Sequence, residues 1–258
     1  MTRIHPTALV DPRAELEEDV EVGPYSIIGR GVKVGKGTSI RSHVVIEGNT
    51  TLGRDNAVFE FATLGNIPQD LKYKGENSQL ILGNRNIIRE YASLNPGTQG
   101  GGMLTRVGDG NCLMMYCHIA HDCIIGDNNI IANGATLGGH VIIEDHVVVG
   151  GLVGIHQFVK VGTGALLGAG SMVSKDVAPY CNAIGDRARV HGLNLVGLKR
   201  RGLTREQIES IKRAYRIIFR SGLNTREALA RVKRDLPGSG EAATMVAFIE
   251  TSQRGICR

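Results

Sequence analysis

The sequence has no tryptophan and only five phenylalanines among its 258 residues. Its core must therefore be built from aliphatic side chains rather than aromatic ones. No stretch approaches the roughly 20 apolar residues of a membrane-spanning helix, and the first residues lack the apolar segment of a secretory signal peptide. We therefore expect a cytoplasmic protein without stable membrane insertion.

Disulfide bonds and structural zinc are not expected either. The five cysteines are odd in number, and no two of them form a C-x-x-C pair. This usage is typical of a reducing compartment. We interpret the cysteines as small core or surface residues.

Charge is distributed unevenly along the chain. Residues 1–185 hold 14 basic and 18 acidic side chains, a net charge of −4, whereas residues 186–258 hold 16 basic and 7 acidic side chains, a net charge of +9. A basic C-terminal segment of this kind suits an acidic partner.

An aliphatic residue recurs every six positions along most of the chain. The series runs through residues 10–64, 82–94 and 107–173; all 25 of its positions are Val, Ile or Leu, and glycine follows 12 of them. A period of six is neither the helical 3.6 nor the simple strand period of 2. It predicts a mainly β protein, a left-handed parallel β-helix of hexapeptide repeats in which three short strands form each coil.

Two interruptions of the repeat predict loops, near residues 65–81 and 95–106. The first resumes in phase after 18 residues, so we expect it to replace about one coil, and the second shifts the phase by one residue. We expect the β-helix domain to occupy residues 1–184 and a small α-helical domain to occupy residues 185–258. A capping-box pattern at Thr204 begins the first of three predicted helices, over about 205–220, 226–235 and 241–253.

Four of the eight histidines lie beside one predicted column of the β-helix. Residues 18 apart stack on one face, so Ile119, Leu137 and Ile155 form a column. The histidines beside it are His118, His121, His140 and His156. Such a cluster suits general-base catalysis, with Asp122 fixing the imidazole tautomer, or a zinc ion held by three imidazoles as in a hydratase.

The residues alone leave both chemistries open, and a non-catalytic β-helix scaffold is a third possibility. Asn133 and Gln157 accompany the cluster, and a lysine and arginine set suited to phosphate lies elsewhere in the chain. A hydratase would not need these basic residues. These features favour general-base catalysis over a zinc site.

Five short motifs stand out: QDLKY at 69–73, HIAHD at 118–122, GGH at 138–140, VGIHQF at 153–158 and GLKRRG at 197–202. Together they resemble the UDP-N-acetylglucosamine O-acyltransferases that begin lipid A synthesis in Gram-negative bacteria. The resemblance covers essentially the whole chain. It implies transfer of a 3-hydroxyacyl chain from acyl carrier protein to the 3-hydroxyl of the sugar nucleotide, in a homotrimer with sites between neighbouring subunits. It implies no metal, no cofactor beyond the phosphopantetheine of the carrier protein, and no nucleic acid partner.

The same resemblance implies residue roles. His121 is the general base, Asp122 orients it, and the Gly139 N–H receives the thioester oxyanion. The implied substrate-binding residues are Gln69, Asp70, Lys72, His118, His140, His156, Gln157, Asn194, Arg200 and Arg201. Ala169 stands where members of the family set acyl length, and its small side chain favours a medium to long chain over a short one.

Two positions depart from the pattern of the family. Asn95 and Pro96 replace a common His-Arg pair, and Val196 replaces a common glutamate. Some members acylate a 3-amino analogue of the sugar and form an amide. Asn95 therefore leaves both an ester and an amide product open.

Overall fold

The computed structural model of the protein describes residues 1–258. Its 28 short β-strands form three sheets. Successive strands belong to faces 1, 2 and 3 in turn as far as Met172–Val173, and the last two strands both join face 1. Each strand of the coils pairs in parallel with the strand one coil away, for example Ile119 with Leu137 and Leu137 with Ile155. The predicted β-helix fold, followed by helices, is confirmed.

Face 1 contains strands Arg3–Ile4, Glu21–Val22, Ser39–Ile40, Ala57–Val58, Ile87–Ile88, Cys112–Leu113, Ile130–Ile131, Val148–Val149, Leu166–Leu167, Cys181–Ile184 and Arg189–Leu193. Face 2 contains strands Leu9–Val10, Ile27–Ile28, Val45–Ile46, Thr63–Leu64, Ser93–Leu94, His118–Ile119, Thr136–Leu137, Gly154–Ile155 and Met172–Val173. Face 3 contains strands Glu15–Leu16, Lys33–Val34, Asn49–Leu52, Gln79–Leu82, Leu104–Val107, Ile124–Ile125, Ile142–Ile143 and Lys160–Val161. The helices are α1 (Leu195–Arg200), α2 (Arg205–Arg220), α3 (Thr225–Asp235) and α4 (Gly240–Glu250).

The core is the interior of the coils. Every residue of the six-residue series is buried there except Val10 and Leu16, which are half-buried in the first coil. Full burial of one such side chain stabilises the folded state by about 1.5–3 kcal/mol. The alternate residue of each short strand points outward, and the functional side chains of the strands occupy these outward positions.

Both insertions lie on the edge between faces 2 and 3. Across the first, residues 65–78, stacked partners are 30 residues apart, as Thr63 and Ser93 are, instead of 18. Across the second, residues 95–103, partners such as Gln79 and Leu104 are 25 apart. The expectation that the first loop replaces a coil is wrong, because Gln79 stacks directly on Asn49 and no strand position is skipped.

The C-terminal part differs from the prediction in three places. Strands Cys181–Ile184 and Arg189–Leu193 form an antiparallel hairpin where we expected only helices, and the short helix α1 was not predicted. Helix α2 has the predicted bounds and the predicted capping box, whereas α4 ends at Glu250 rather than at 253. The chain then turns back to the β-helix, where the Ser252 hydroxyl and the Lys160 N–H donate to buried Asp176. No helix of the protein has the length and apolar character needed to cross a membrane.

Candidate active site

The histidine motifs meet on the edge between faces 2 and 3, one coil above another. We call the corner residues 120–122, 138–140 and 156–158 the histidine edge. Its coils are joined by backbone hydrogen bonds, from the His140 N–H to the His121 carbonyl and from the Phe158 N–H to the Gly139 carbonyl. The repeat spacing therefore places side chains from three distant motifs within a few strand spacings of about 4.8 Å.

His121 and Asp122 form a hydrogen-bonded pair, which we call the dyad. Nδ1 of His121 lies 2.7 Å from Oδ2 of Asp122, and the carboxylate side chain is fully buried. No lysine or arginine lies within ion-pair distance of Asp122. A carboxylate accepts, so Nδ1 of His121 donates, and Nε2 carries the lone pair. No protein group bonds Nε2, so the imidazole is prepared to accept a proton there.

Gly139 lies directly against the free side of this imidazole. A Cβ built on Gly139 would lie only 2.6 Å from Nε2 of His121, so the position accepts no larger residue without a shift of the ring. The Gly139 N–H has no hydrogen-bond acceptor in the chain. A free base and a free backbone donor therefore lie side by side, which is the arrangement that acyl transfer requires.

His140 forms a second wall of the site. Its ring lies 5.1 Å from the His121 ring in a perpendicular orientation and stacks on Phe158 with ring centres 4.3 Å apart. Burial lowers the pKa of His140, against a smaller opposing effect of Asp122. The neutral imidazole is thereby favoured at neutral pH.

His118 projects from face 2 beside the dyad. Its Nδ1 lies 2.7 Å from the Ser93 hydroxyl, which fixes the ring orientation. Burial also lowers the pKa of His118, and the nearby His121 contributes in the same direction. A neutral His118 can serve as a hydrogen-bonding group for a substrate without adding a buried charge.

The two insertions line a polar cavity of about 450 Å³ that is open to solvent and lies next to the dyad. Its lining is charged and polar: Asp70, Lys72, Lys74, Glu76, Thr98, Gln99 and Gly100. Thr98 connects the cavity to the dyad, because its hydroxyl donates to Asp122 at 2.7 Å. Asp70 and Lys72 therefore line a cavity that is connected through Thr98 to the dyad.

Other predicted site residues lie at the margin of this cluster. His156 and Gln157 are on the histidine edge one coil beyond Gly138, and both are exposed. Gln69 is also exposed, at the start of the insertion segment that carries Asp70. None of the three forms a side-chain hydrogen bond with His121 or Asp122.

The remaining predicted residues are elsewhere in the single chain. Asn194, predicted to bind substrate, is buried and caps α1: its Oδ1 accepts from the Gly197 N–H, and its Nδ2 donates to the Gly164 carbonyl. It therefore positions the helix that ends at Arg200. Arg201 lies beside Gly164, on the edge between faces 3 and 1. Exposed Ala169 stacks on Gly150, on the edge between faces 1 and 2.

Sequence reasoning missed three partners of the histidines. Ser93 bonds His118, Thr98 bonds Asp122 and Phe158 stacks on His140. Phe158 lies inside a motif that we had singled out, and Thr98 lies inside a predicted loop. The 25 residues between Ser93 and His118 include the second insertion, so a count of 18 does not find this pair.

One group of side chains could hold a metal ion. The ligand-type atoms of His121, Asp122 and His140 lie within 4.8 Å of one another. The zinc alternative required three imidazoles, whereas this set contains two and a carboxylate. Oδ2 of that carboxylate already accepts hydrogen bonds from His121 and Thr98. The donor set therefore fits a hydrogen-bonded base better than a three-histidine zinc site.

Known protein families match both parts of the chain. Residues 176–257 match the family model described as "Udp N-acetylglucosamine O-acyltransferase; Domain 2". Residues 13–48 and 104–139 match the model "Bacterial transferase hexapeptide (six repeats)". Both parts of the fold are thus typical of known transferases.

Relatives and solved structures match over the whole chain. The acyl-[acyl-carrier-protein]--UDP-N-acetylglucosamine O-acyltransferases of Myxococcus xanthus and Thermodesulfovibrio yellowstonii are 52% and 49% identical over 258 residues, all of both chains. The LpxA structure from Acinetobacter baumannii is 46% identical with a TM-score of 0.96, covering 99% of each chain. The Arabidopsis UDP-N-acetylglucosamine acyltransferase is 37% identical with a TM-score of 0.87, covering 99% of this chain and 100% of its own. The chain belongs to the UDP-N-acetylglucosamine O-acyltransferase family.

Proposed function

We propose that the protein transfers a 3-hydroxyacyl group from acyl carrier protein to the 3-hydroxyl of UDP-N-acetylglucosamine, the first step of lipid A synthesis. One observation carries this proposal: the free Nε2 of His121 lies beside the unpartnered N–H of Gly139. The names of relatives about 50% identical over their full length supply the substrates.

The reaction divides into two steps around the same imidazole. Nε2 of His121 takes the proton of the sugar hydroxyl as the hydroxyl oxygen attacks the thioester carbonyl. The N–H of Gly139 donates to the oxyanion that forms, and buried Asp122 stabilises the imidazolium. Collapse of the intermediate breaks the carbon–sulfur bond, and the leaving thiolate of phosphopantetheine takes the proton from Nε2. The base is then regenerated.

The polar cavity is suited to the acceptor. We assign the sugar and pyrophosphate to Lys72, His118 and His140, with Asp70 nearby, since these groups surround the dyad or line the cavity next to it. Gln69 directly precedes Asp70 in the chain and is assigned to the same substrate. A cation such as Lys72 contacts phosphate oxygens as a point charge, and neutral imidazoles donate to sugar hydroxyls. The remaining substrate contacts come from residues outside the cluster, which are His156, Gln157, Asn194, Arg200 and Arg201, and Ala169 is assigned to acyl length.

Residues on other edges can complete the site only from a neighbouring copy, and face 1 offers a surface for one. On face 1 the outward side chains of five successive coils are apolar: Ile87, Cys112, Ile130, Val148 and Leu166. Ile87 is 43% exposed and Ile130 is 39% exposed in the single chain. Such a stripe favours burial against another subunit. We propose the homotrimer of the family.

The trimer can be tested by light scattering during size-exclusion chromatography. The wild-type protein should have three times the 27.7 kDa mass of one chain. Ile130→Glu places a charge in the stripe and should reduce both the mass and the activity. A wild-type mass of one chain would exclude the shared site.

The basic C-terminal helices provide a surface for the acidic carrier protein. Arg213 and Arg216 are exposed on α2. Charge attraction of this kind mainly raises the rate of encounter. Reversal of both charges in the variant Arg213→Glu/Arg216→Glu should raise the Michaelis constant for the carrier protein at low salt and much less at high salt. Equal constants at low salt would show that another surface docks the carrier.

The amide alternative rests on Asn95. Asn95 is buried on the edge between faces 2 and 3, where the dyad also lies. Its Nδ2 donates to the Asn66 carbonyl, and its Oδ1 has no hydrogen-bond partner. An amide oxygen accepts from an amine as readily as from a hydroxyl, so this position fits a 3-amino sugar as well.

One assay distinguishes these reactions. Purified protein receives 3-hydroxyacyl carrier proteins of graded length, with UDP-N-acetylglucosamine and its 3-amino analogue in competition, and products are identified by mass spectrometry. An ester of one dominant length supports the proposal, and an amide supports the alternative. The chemistry we propose uses only protein groups, so treatment with a chelator should leave the rate unchanged. No product with either acceptor, together with one zinc per site, would favour the hydratase.

A further inference from the structure

Asp122 is a fully buried carboxylate without a lysine or arginine partner. Burial of an unpaired charge is costly, so its hydrogen bonds must hold it. Three donors do so: the His121 Nδ1–H at 2.7 Å, the Thr98 N–H at 2.8 Å and the Thr98 hydroxyl at 2.7 Å. Two of the three come from a single residue, Thr98.

Thr98 reaches Asp122 because of the second insertion. The loop leaves the edge after Leu94, and a turn of 3₁₀ helix at Gln99–Gly101 folds it back onto the carboxylate. A Cβ built on Gly101 would lie 2.0 Å from Cγ of Asp122, so this glycine lets the backbone seal the carboxylate from water. Thr98 itself is only 3% exposed.

We propose that Thr98 is a positioning residue for the reaction: it orients Asp122, so that Asp122 can hold the base His121. The inference rests on the proposed function of His121. Oδ2 accepts from both the His121 ring and the Thr98 hydroxyl, whereas Oδ1 accepts from the Thr98 backbone. The hydroxyl therefore prevents rotation of the carboxylate away from the imidazole.

Removal of the hydroxyl has a defined effect on the base. With one donor fewer, more of the negative charge of Asp122 is available to the His121 imidazolium, so the protonated ring is favoured. The base must be neutral to act, and the acidic limb of the pH–rate profile should therefore move to higher pH. The looser carboxylate should also lower kcat on the plateau by roughly tenfold, the effect of one hydrogen bond to a charged group.

The test compares Thr98→Val with Thr98→Ser. Valine has the shape of threonine but no hydroxyl, and serine restores the donor. Thr98→Val should lower kcat, leave the Michaelis constant for the sugar nucleotide within about twofold, and shift the acidic limb upward, whereas Thr98→Ser should restore both properties. The matched control is Thr50→Val, because the equally buried Thr50 hydroxyl donates to a backbone carbonyl and touches no carboxylate. Thr50→Val should change stability without moving the acidic limb of the pH–rate profile.

Three outcomes would overturn the inference: an unchanged limb and kcat in Thr98→Val, equal impairment of the valine and serine variants, or the same shift in Thr50→Val. A readout without substrate separates this inference from the proposed function. In protein labelled at histidine, Thr98→Val should raise the NMR titration midpoint of the His121 ring, assigned from His121→Gln. An inactive wild-type protein whose His121 midpoint still responds to Thr98→Val would reject the reaction and retain the positioning role.

Discussion

Two edges of the same β-helix have the same backbone conformation but bear different side chains. The edge between faces 1 and 2, which we call the aromatic edge, bears one exposed stack of rings on successive coils: Tyr25, His43, Phe61, Tyr91 and Tyr116. Neighbouring ring centres are 4.9–5.2 Å apart. The histidine edge bears Asp122, His140 and Phe158 at its corners instead.

The corner residues of both edges have the same left-handed conformation. Tyr91 has φ 59° and Tyr116 has φ 60°, while Asp122 has φ 60° and His140 has φ 61°. That conformation costs a non-glycine residue roughly 1–2 kcal/mol. On the aromatic edge ring stacking offsets the cost, at about 0.5–1.5 kcal/mol for each pair. On the histidine edge His140 and Phe158 stack in the same way, whereas hydrogen bonds hold the Asp122 side chain, so corner geometry alone does not create a site.

The insertions make the difference between the two edges. Both insertions leave the coil between faces 2 and 3, and neither interrupts the aromatic edge. The first supplies the charged wall of the cavity, and the second supplies the donors of Thr98. An edge without insertions stays regular and stable, whereas an edge with insertions acquires a pocket.

The largest expected effect is on kcat, and it is measured by comparing alanine variants of His121 on the histidine edge and His43 on the aromatic edge. His121→Ala should lower kcat by about 10³-fold, because the general base is lost while the coil beneath remains. His43→Ala removes a ring from the aromatic edge and should leave kcat unchanged. Steady-state rates of both variants, measured with circular dichroism as a check of folding, give the comparison. Comparable losses in the two variants would mean that His121 acts through the fold.

Much of this comparison is visible in the sequence. A step of 18 from Tyr25 reaches His43 and then Phe61, and the same step joins the motifs at Ile119 and Leu137. The repeat fixes register because each slip would expose aliphatic side chains. Fold, coil order and the grouping of the histidines could therefore be predicted.

The contacts across the insertions could not be predicted. Partners there are 30 or 25 residues apart, so the step of 18 misses Tyr91 on the aromatic edge and Ser93 on face 2. The path of an irregular loop depends on local hydrogen bonds rather than on a period, and the two donors from Thr98 to Asp122 are of this kind. The hairpin after Cys181 was missed because the repeat had already ended.

The second effect concerns stability. Tyr91 stacks on Phe61 and Tyr116, with ring centres 4.9 Å apart in both pairs. Tyr91→Ala breaks both pairs and should lower the free energy of unfolding by about 1–3 kcal/mol, whereas Tyr91→Phe keeps the rings and should change it little. Guanidinium unfolding measures both variants. Activity below the transition should match wild type, and a strong loss of activity would show that the aromatic edge also serves the site.

The smallest effect is a pH dependence of stability that belongs to the histidine edge. Burial lowers the pKa of His118 and of His140 in the folded state. Near and below the unfolded value of about 6.5, the unfolded chain binds more protons at these residues than the folded chain does. Their contribution to the free energy of unfolding therefore decreases as the pH falls below about 6.5.

The absolute slope of stability against pH cannot serve as the readout, because other groups titrate nearby. Burial raises the pKa of Glu144, which has the opposite sign, and lowers the pKa of His146, which has the same sign. The difference between wild type and His118→Gln/His140→Gln cancels both contributions. We expect the double variant to lose less stability than wild type between pH 7.5 and pH 5.5 in guanidinium unfolding. Parallel curves would mean that these imidazoles protonate as easily in the folded chain as in the unfolded one, and the neutral acceptor-binding wall proposed for the histidine edge would then be wrong.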